Sequence, residues 1–209
     1  MNDIKTTVST EITTRCILAS FIVIGYIFLD IPQSTNAQNP SSFSSSSFLL
    51  YENPTHGIKM QYPSNWMAST NQLPTYNSII GFYSPLENLS DVLPAELALS
   101  ITTYVNNISL DEYSKITRTA LEQQGMEIIE SEPTTLAGNP AHKIIFSPGA
   151  QVAQSSPIEF KVMQIFTTIE NKVYLLSYNA QTSKFPLYMD TIQQMLDSVK
   201  IQQPSPPST

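Results

Sequence analysis

The sequence predicts an α+β fold in which two helices cover an antiparallel sheet. Three observations carry this expectation. Several segments alternate apolar and polar residues with a period of two, as strands with one polar face do, and such strands belong to antiparallel sheets. Two longer stretches carry one-sided apolar stripes at helical spacing. The elements run in the order strands, helix, several strands, helix, which is an α+β layout.

Taken in order, Asn53-Pro54-Thr55-His56-Gly57 turns the chain before a first strand at 58–62, and a second short strand follows at 78–83. Residues 96–105 alternate most cleanly. Leu97, Leu99, Ile101, Thr103 and Val105 lie on one side, with Glu96, Ser100, Thr102 and Tyr104 on the other. A helix is predicted over 110–124, where Leu110, Tyr113, Ile116, Ala120 and Leu121 form the stripe. Ser109 and Glu112 have the spacing of a capping box, in which each side chain satisfies an orphan backbone N–H. Ile108 and Tyr113 can close a hydrophobic staple across it. Asp111 and Glu112 sit at the positive end of the helix dipole, and Gly125 can stop the helix.

Strands at 126–130 and 141–146 flank Thr134 to Pro140, with Gly138-Asn139-Pro140 as the turn. Strands at 158–169 and 173–180 flank the short turn Glu170-Asn171-Lys172. A second helix is predicted over 184–198, its stripe formed by Phe185, Tyr188, Met189, Ile192, Leu196 and Val199. Ser183 is its candidate N-cap, and Pro186 falls in the tolerant first turn.

Composition bounds the function. The chain has 209 residues, 41% hydrophobic, enough for one cored domain with appendages. A net charge of −7 argues against nucleic-acid binding, which needs a basic face to replace counterions around phosphates. The single cysteine, Cys16, excludes a disulfide framework and a cysteine-based zinc site.

Residues 1–37 read as an export segment. Between Arg15 and Asp30 run fourteen residues without a charge, shorter than the roughly 20 of a spanning helix and within the range of a signal-peptide apolar region. Thr35 and Ala37 suit cleavage after Ala37. An uncleaved membrane anchor and a buried helix are the other readings. In both membrane readings the rest of the chain lies outside the cytoplasm. Thr13-Thr14-Arg15 before Cys16 does not suit lipid attachment, and cleavage leaves no thiol. Residues 38–47 are a Ser-rich flexible linker, 48–202 the folded domain and 203–209 a disordered tail.

Catalytic signatures are missing. There is no G-x-S-x-G elbow, phosphate-cradling glycine loop or H-E-x-x-H pattern, so no catalytic residue is expected. The two histidines, His56 and His142, fall in a turn and a strand, and no local pattern ties either to a triad. Weak metal candidates are Glu127, Glu130 and Glu132 at the end of a strand, Asp111 with Glu112 at a helix start, and His56. A solvated edge and a dipole-capping pair explain the carboxylates as well as calcium does. Tyr62, Trp66, Tyr76, Phe82 and Tyr83 could line a ligand groove, but packing beneath the helices is the simpler reading, with Trp66 as a core plug. Asn88-Leu89-Ser90 and Asn107-Ile108-Ser109 are glycosylation sequons, and the second overlaps the capping box.

One resemblance covers nearly all of residues 48–201. Tyr51 to Trp66 (YENPTHGIKMQYPSNW) resembles the opening strands and Y-P-x-x-W exit of the PsbP family. Thr134 to Phe146 (TTLAGNPAHKIIF) is similar to that family's L-x-G-x-x-A-[HY] hairpin, and Lys161 to Ala180 and the closing MLDSVKI also match. The resemblance implies an α/β/α sandwich with a central antiparallel sheet. It implies no catalytic residues and no cofactor beyond calcium, which photosystem II members help retain at the oxygen-evolving centre. The expected partner is a membrane protein complex or envelope component. The Ser-rich linker and the lack of a chloroplast transit peptide resemble a free-standing, secreted prokaryotic version. An extracytoplasmic small-ligand-binding protein is the alternative.

Overall fold

A computed structural model describes residues 47–70, 77–86, 93–154 and 158–202. The expected export segment with Cys16, the linker up to Ser46, the tail, the sequon at Asn88 and the aromatic Tyr76 lie outside the described residues.

β1 (Phe48–Asn53) and β2 (Ile58–Pro63) form a hairpin, and the two-residue β10 (Lys200–Ile201) pairs with the other side of β2. The remaining strands are β3 (Met67–Ser69), β4 (Ser78–Tyr83), β5 (Glu96–Thr103), β6 (Met126–Leu136), β7 (Asn139–Pro148), β8 (Phe160–Ile169) and β9 (Lys172–Gln181). They make a seven-stranded antiparallel sheet in the order β3-β4-β5-β9-β8-β7-β6. Helix α1 (Leu110–Gln123) follows β5, and the single turn α2 (Ala150–Ala153) follows β7. A 3₁₀ turn (Phe185–Tyr188) leads into α3 (Met189–Asp197).

The strand alternation creates two cores, one on each face of the large sheet. On one face α1 lowers Tyr113 and Leu121 onto Ile144, Phe146, Val162 and Phe166 of β7 and β8. On the other, Ile192, Met195 and Leu196 of α3 and Ile58 and Met60 of β2 cover Phe82, Leu97, Leu99, Leu176 and Tyr178. Each such side chain, fully withdrawn from water, contributes about 1.5–3 kcal/mol. The fold is α+β, as expected, with helices on both faces of an antiparallel sheet. The second layer contains a small sheet as well as α3, so the strand expected at 58–62 belongs to that small sheet.

Helix α1 begins and ends where its local signals lie. Ser109 Oγ accepts the Glu112 backbone N–H at 3.1 Å, and Gly125 takes a φ of +72° just beyond the helix. Only the serine half of the capping box forms, since the Glu112 carboxylate makes no hydrogen bond among the described residues. The second helix departs from expectation. Its first turn is 3₁₀, and Ser183 does not cap it. The buried Tyr178 hydroxyl donates to the Phe185 carbonyl at 2.9 Å, while the Met189 N–H turns to Pro186 O. The carbonyl that an α-turn would use is thereby taken by the sheet.

Strand β6 continues six residues past the expected end at Glu130, through Pro133. Its place at the sheet edge tolerates a residue without an N–H. The hairpin then reverses over Ala137 and Gly138, at φ +50° and +78°, one residue earlier than the expected Gly138-Asn139-Pro140 turn.

Candidate functional site

The polar flank of α1 and strand β7 enclose a groove of about 340 Å³. Asp111, Lys115, Arg118 and Glu122 face it from the helix at steps of three and four residues, and His142 lines it from β7. The opposite stripe of α1 is held down by Tyr113 and Leu121, so this flank is fixed over the sheet. Lys115 and Arg118 are exposed, and among the described residues neither makes an ion pair.

His142 is held on two sides. Its ring stacks on Phe166, with centroids 5.8 Å apart and planes 28° off parallel, and Nε2 lies 2.9 Å from Ser131 Oγ. Burial holds its pKa below the usual imidazole value, and the Arg118 charge pushes in the same direction, against Asp111 and Glu132. A serine and a histidine in contact are the start of a nucleophile–base pair. Among the described residues no carboxylate hydrogen-bonds His142, so the orienting third member of a triad is not in place. No sequence pattern marks Ser131 or Arg118. Ser131 meets His142 only because the pairing register of β6 shifts between Ile128 and Glu130, and the bulge turns Ser131 to the α1 face.

The same bulge sets Glu127, Glu130 and Glu132 on the opposite face, along with their partners Ser147, Ile145 and Lys143. Lys143 Nζ bridges Glu130 at 2.5 Å and Glu132 at 2.7 Å. These bonds raise the Lys143 pKa and lower that of Glu132. Two of the candidate metal carboxylates thus already share a cation. Glu127 stands further along β6, and its side chain is exposed. His56 lies apart from them in the β1–β2 turn, where its backbone N–H bonds to Asn53. Asp111 and Glu112 occupy the first turn of α1. No three His, Cys, Asp or Glu side chains group as metal ligands among the described residues.

A second polar cluster lies on the α1 face of the sheet, at its β4–β5–β9 end. Glu96 is 9% exposed and accepts a hydrogen bond from Tyr83, its partner in register on β4. Its partner on β9 is Asn179. Glu96 Oε1 and Asn179 Oδ1 are both buried without a hydrogen-bond partner among the described residues. Burial pushes the Glu96 carboxyl up to about 7, the Tyr83 bond opposing, and also raises the Tyr83 hydroxyl. Ser78 and Ser100, 2.9 Å apart, continue this polar face. Of the aromatics expected beneath the helices, Trp66, Tyr62 and Phe82 pack in the α3-side core, while Tyr83 bonds Glu96 on the opposite face. Trp66 meets Tyr188 edge-on at 5.7 Å, and Tyr62 rests on Phe82 at 4.9 Å.

Among the described residues the outer edge of β1 has no strand beside it, and Leu49 and Leu50 are 45% and 58% exposed. Ser47 ties the entry of this strand to the end of β2. Its carbonyl accepts the Ser64 N–H at 2.8 Å and its hydroxyl bonds Ser64 Oγ at 3.0 Å.

Residues 15–201 match the sequence model of the family described as PsbP-like protein. The chain belongs to the PsbP-like family. Solved structures agree with a PsbP-like fold. LpqN of Mycobacterium tuberculosis, whose structure is described as involved in cell envelope biogenesis, superposes with a TM-score of 0.57 at 14% identity. The match covers 77% of this chain and 93% of LpqN. Cyanobacterial PsbP (CyanoP) from Synechocystis sp. PCC 6803 gives 0.53 at 13% identity, over 79% of this chain and 99% of that one. The Saccharomyces cerevisiae Ran-binding protein Mog1p gives 0.53 at 10% identity, over 75% and 96%. At these identities the likeness is one of fold. No curated protein is detectably similar in sequence.

Proposed function

We propose that this PsbP-like chain is an exported, non-enzymatic docking domain. It is held outside the cytoplasm by its N-terminal segment and rests on a membrane protein complex or other envelope component. The observation that carries this reading is the β1 edge. It follows directly on the linker, pairs with β2 on one side and with no other described strand on the other, and exposes two adjacent leucines, Leu49 and Leu50. Adjacent strand residues point to opposite faces, so a partner strand added there would gain main-chain hydrogen bonds and an apolar contact on each side. Natural proteins usually blunt such an edge with charge or proline; β1 holds no proline, and its one charge, Glu52, is paired with Lys59 of β2. The envelope role in the description of LpqN supports the same setting.

Weak calcium binding at the β6 carboxylates belongs to the proposal only if calcium displaces Lys143. Calorimetry with millimolar calcium tests that part, and absence of heat removes it. Docking itself is tested by affinity retrieval of the full chain from native membranes. The wild type should bring down one defined membrane protein, and Leu50→Lys should reduce its recovery at least tenfold. Recovery of free monomer alone, or equal retrieval by the variant, would sink the proposal.

A further inference from the structure

A second feature stands apart from the β1 edge. Lys115 and Arg118 are two of only ten basic residues in a chain of net charge −7, and both face one groove. Their nearest carboxylates in the groove, Asp111 and Glu122, each stand four residues away along the helix, about 6 Å in rise. Such pairs commonly close into ion pairs, yet among the described residues these do not. The charges therefore run acid, base, base, acid, with the two bases free in the middle. His142 reports the resulting field. Arg118 depresses its proton affinity, and Asp111 and Glu132 each restore it by less than Arg118 takes away. His142 Nε2 is engaged by Ser131, while Nδ1 makes no hydrogen bond among the described residues. The volume of about 340 Å³ is in the lower range of small-molecule sites.

We propose that this groove binds a small ligand through a single oxyanion, a carboxylate or phosphate held between Lys115 and Arg118 over the His142 ring. The guanidinium fork suits two oxygens of such a group, and the ammonium adds a point charge. Asp111 and Glu122 close the two ends of the positive stretch. They disfavour polyanions, including nucleic acid, and accept a ligand that carries an amine beside its anion.

The chain has only two histidines, so the imidazole proton resonances of the full chain give a reporter and an internal control. Phosphate and acetate are titrated separately at constant ionic strength, with chloride as the reference. In at least one arm His142 should shift saturably and its pKa should rise, because a bound anion offsets the Arg118 charge. His56 should stay still. A response to phosphate alone assigns a phosphoryl group, and a response to acetate alone assigns a carboxylate. Lys115→Ala combined with Arg118→Ala, both at exposed positions, should weaken the response at least tenfold with unchanged circular dichroism. The inference is overturned by equal shifts at both histidines, by no saturation at tens of millimolar in either arm, or by an undiminished response in the double variant. None of these outcomes depends on whether the β1 edge docks a partner.

Discussion

Glu96→Gln should raise stability above neutral pH and leave it nearly unchanged in acid. Glu96 is a carboxyl buried between strands β4 and β9, and no basic side chain contributes to its titration. Its folded-state pKa is about 7 against an ordinary 4.5. A raised carboxyl pKa means that the folded state binds more protons than the unfolded state across that interval. Stability therefore falls as pH rises from about 4.5 to about 7, and the full cost persists above. At 1.36 kcal/mol per pH unit, the cost of the ionised form is about 3 kcal/mol. Glutamine removes that cost, still accepts from Tyr83, and offers an amide N–H to Asn179 Oδ1, which has no partner among the described residues. The assay is urea unfolding of both proteins at pH 4.5, 6 and 8. The expected difference in favour of the variant grows from near zero to about 3 kcal/mol. A wild-type stability that does not fall over this range, or a variant less stable at pH 8, would refute the reasoning.

Other substitutions test the frame around these sites. A Cβ at Gly57 would lie 1.9 Å from the Gln202 carbonyl oxygen, and its φ is +65°, so Gly57→Ala should detach the β10 end from the β1–β2 turn. The left-handed backbone alone costs about 1–2 kcal/mol, a Tm loss of at least about 3 °C by calorimetry. Tyr178→Phe leaves the Phe185 carbonyl without its donor. It should cost about 1–3 kcal/mol in chemical denaturation, with an unchanged m-value. Ser109→Ala should cost about 1 kcal/mol through the lost cap. Asn107→Gln abolishes the same sequon at an exposed position and should leave thermal stability unchanged, which separates the cap from any glycan.

What the sequence disclosed, and what it hid, follows from the range of the interactions. Helix α1 was legible because the Ser109 cap, the apolar stripe and Gly125 all lie within one segment. The Ser131–His142 contact was not, because it depends on a bulge at Ile129 that alternation cannot show. A strict period of two would have put Ser131 on the other face. In the sequence Glu96 belongs to a polar strand face. Alternation tells one face from the other but does not say whether water or protein covers the polar one. Periodicity does not show strand β1, because Phe48-Leu49-Leu50-Tyr51 has no alternation and both its faces are partly exposed. Lys115 and Arg118 sit on a helix flank where charges ordinarily meet solvent, and only the fold of β7 against that flank makes them line a groove. The aromatics were the reverse case. Trp66 and Phe82 lie in the core because large apolar side chains have few other places to go.

The docking reading is tested most directly by a photo-crosslinking residue placed at Leu50 of the full chain in its native membrane, with Thr119 on α1 as the control position. The account predicts one discrete adduct with a membrane protein from position 50 and none of that mass from position 119. No adduct from position 50, or the same adducts from both positions, would contradict it.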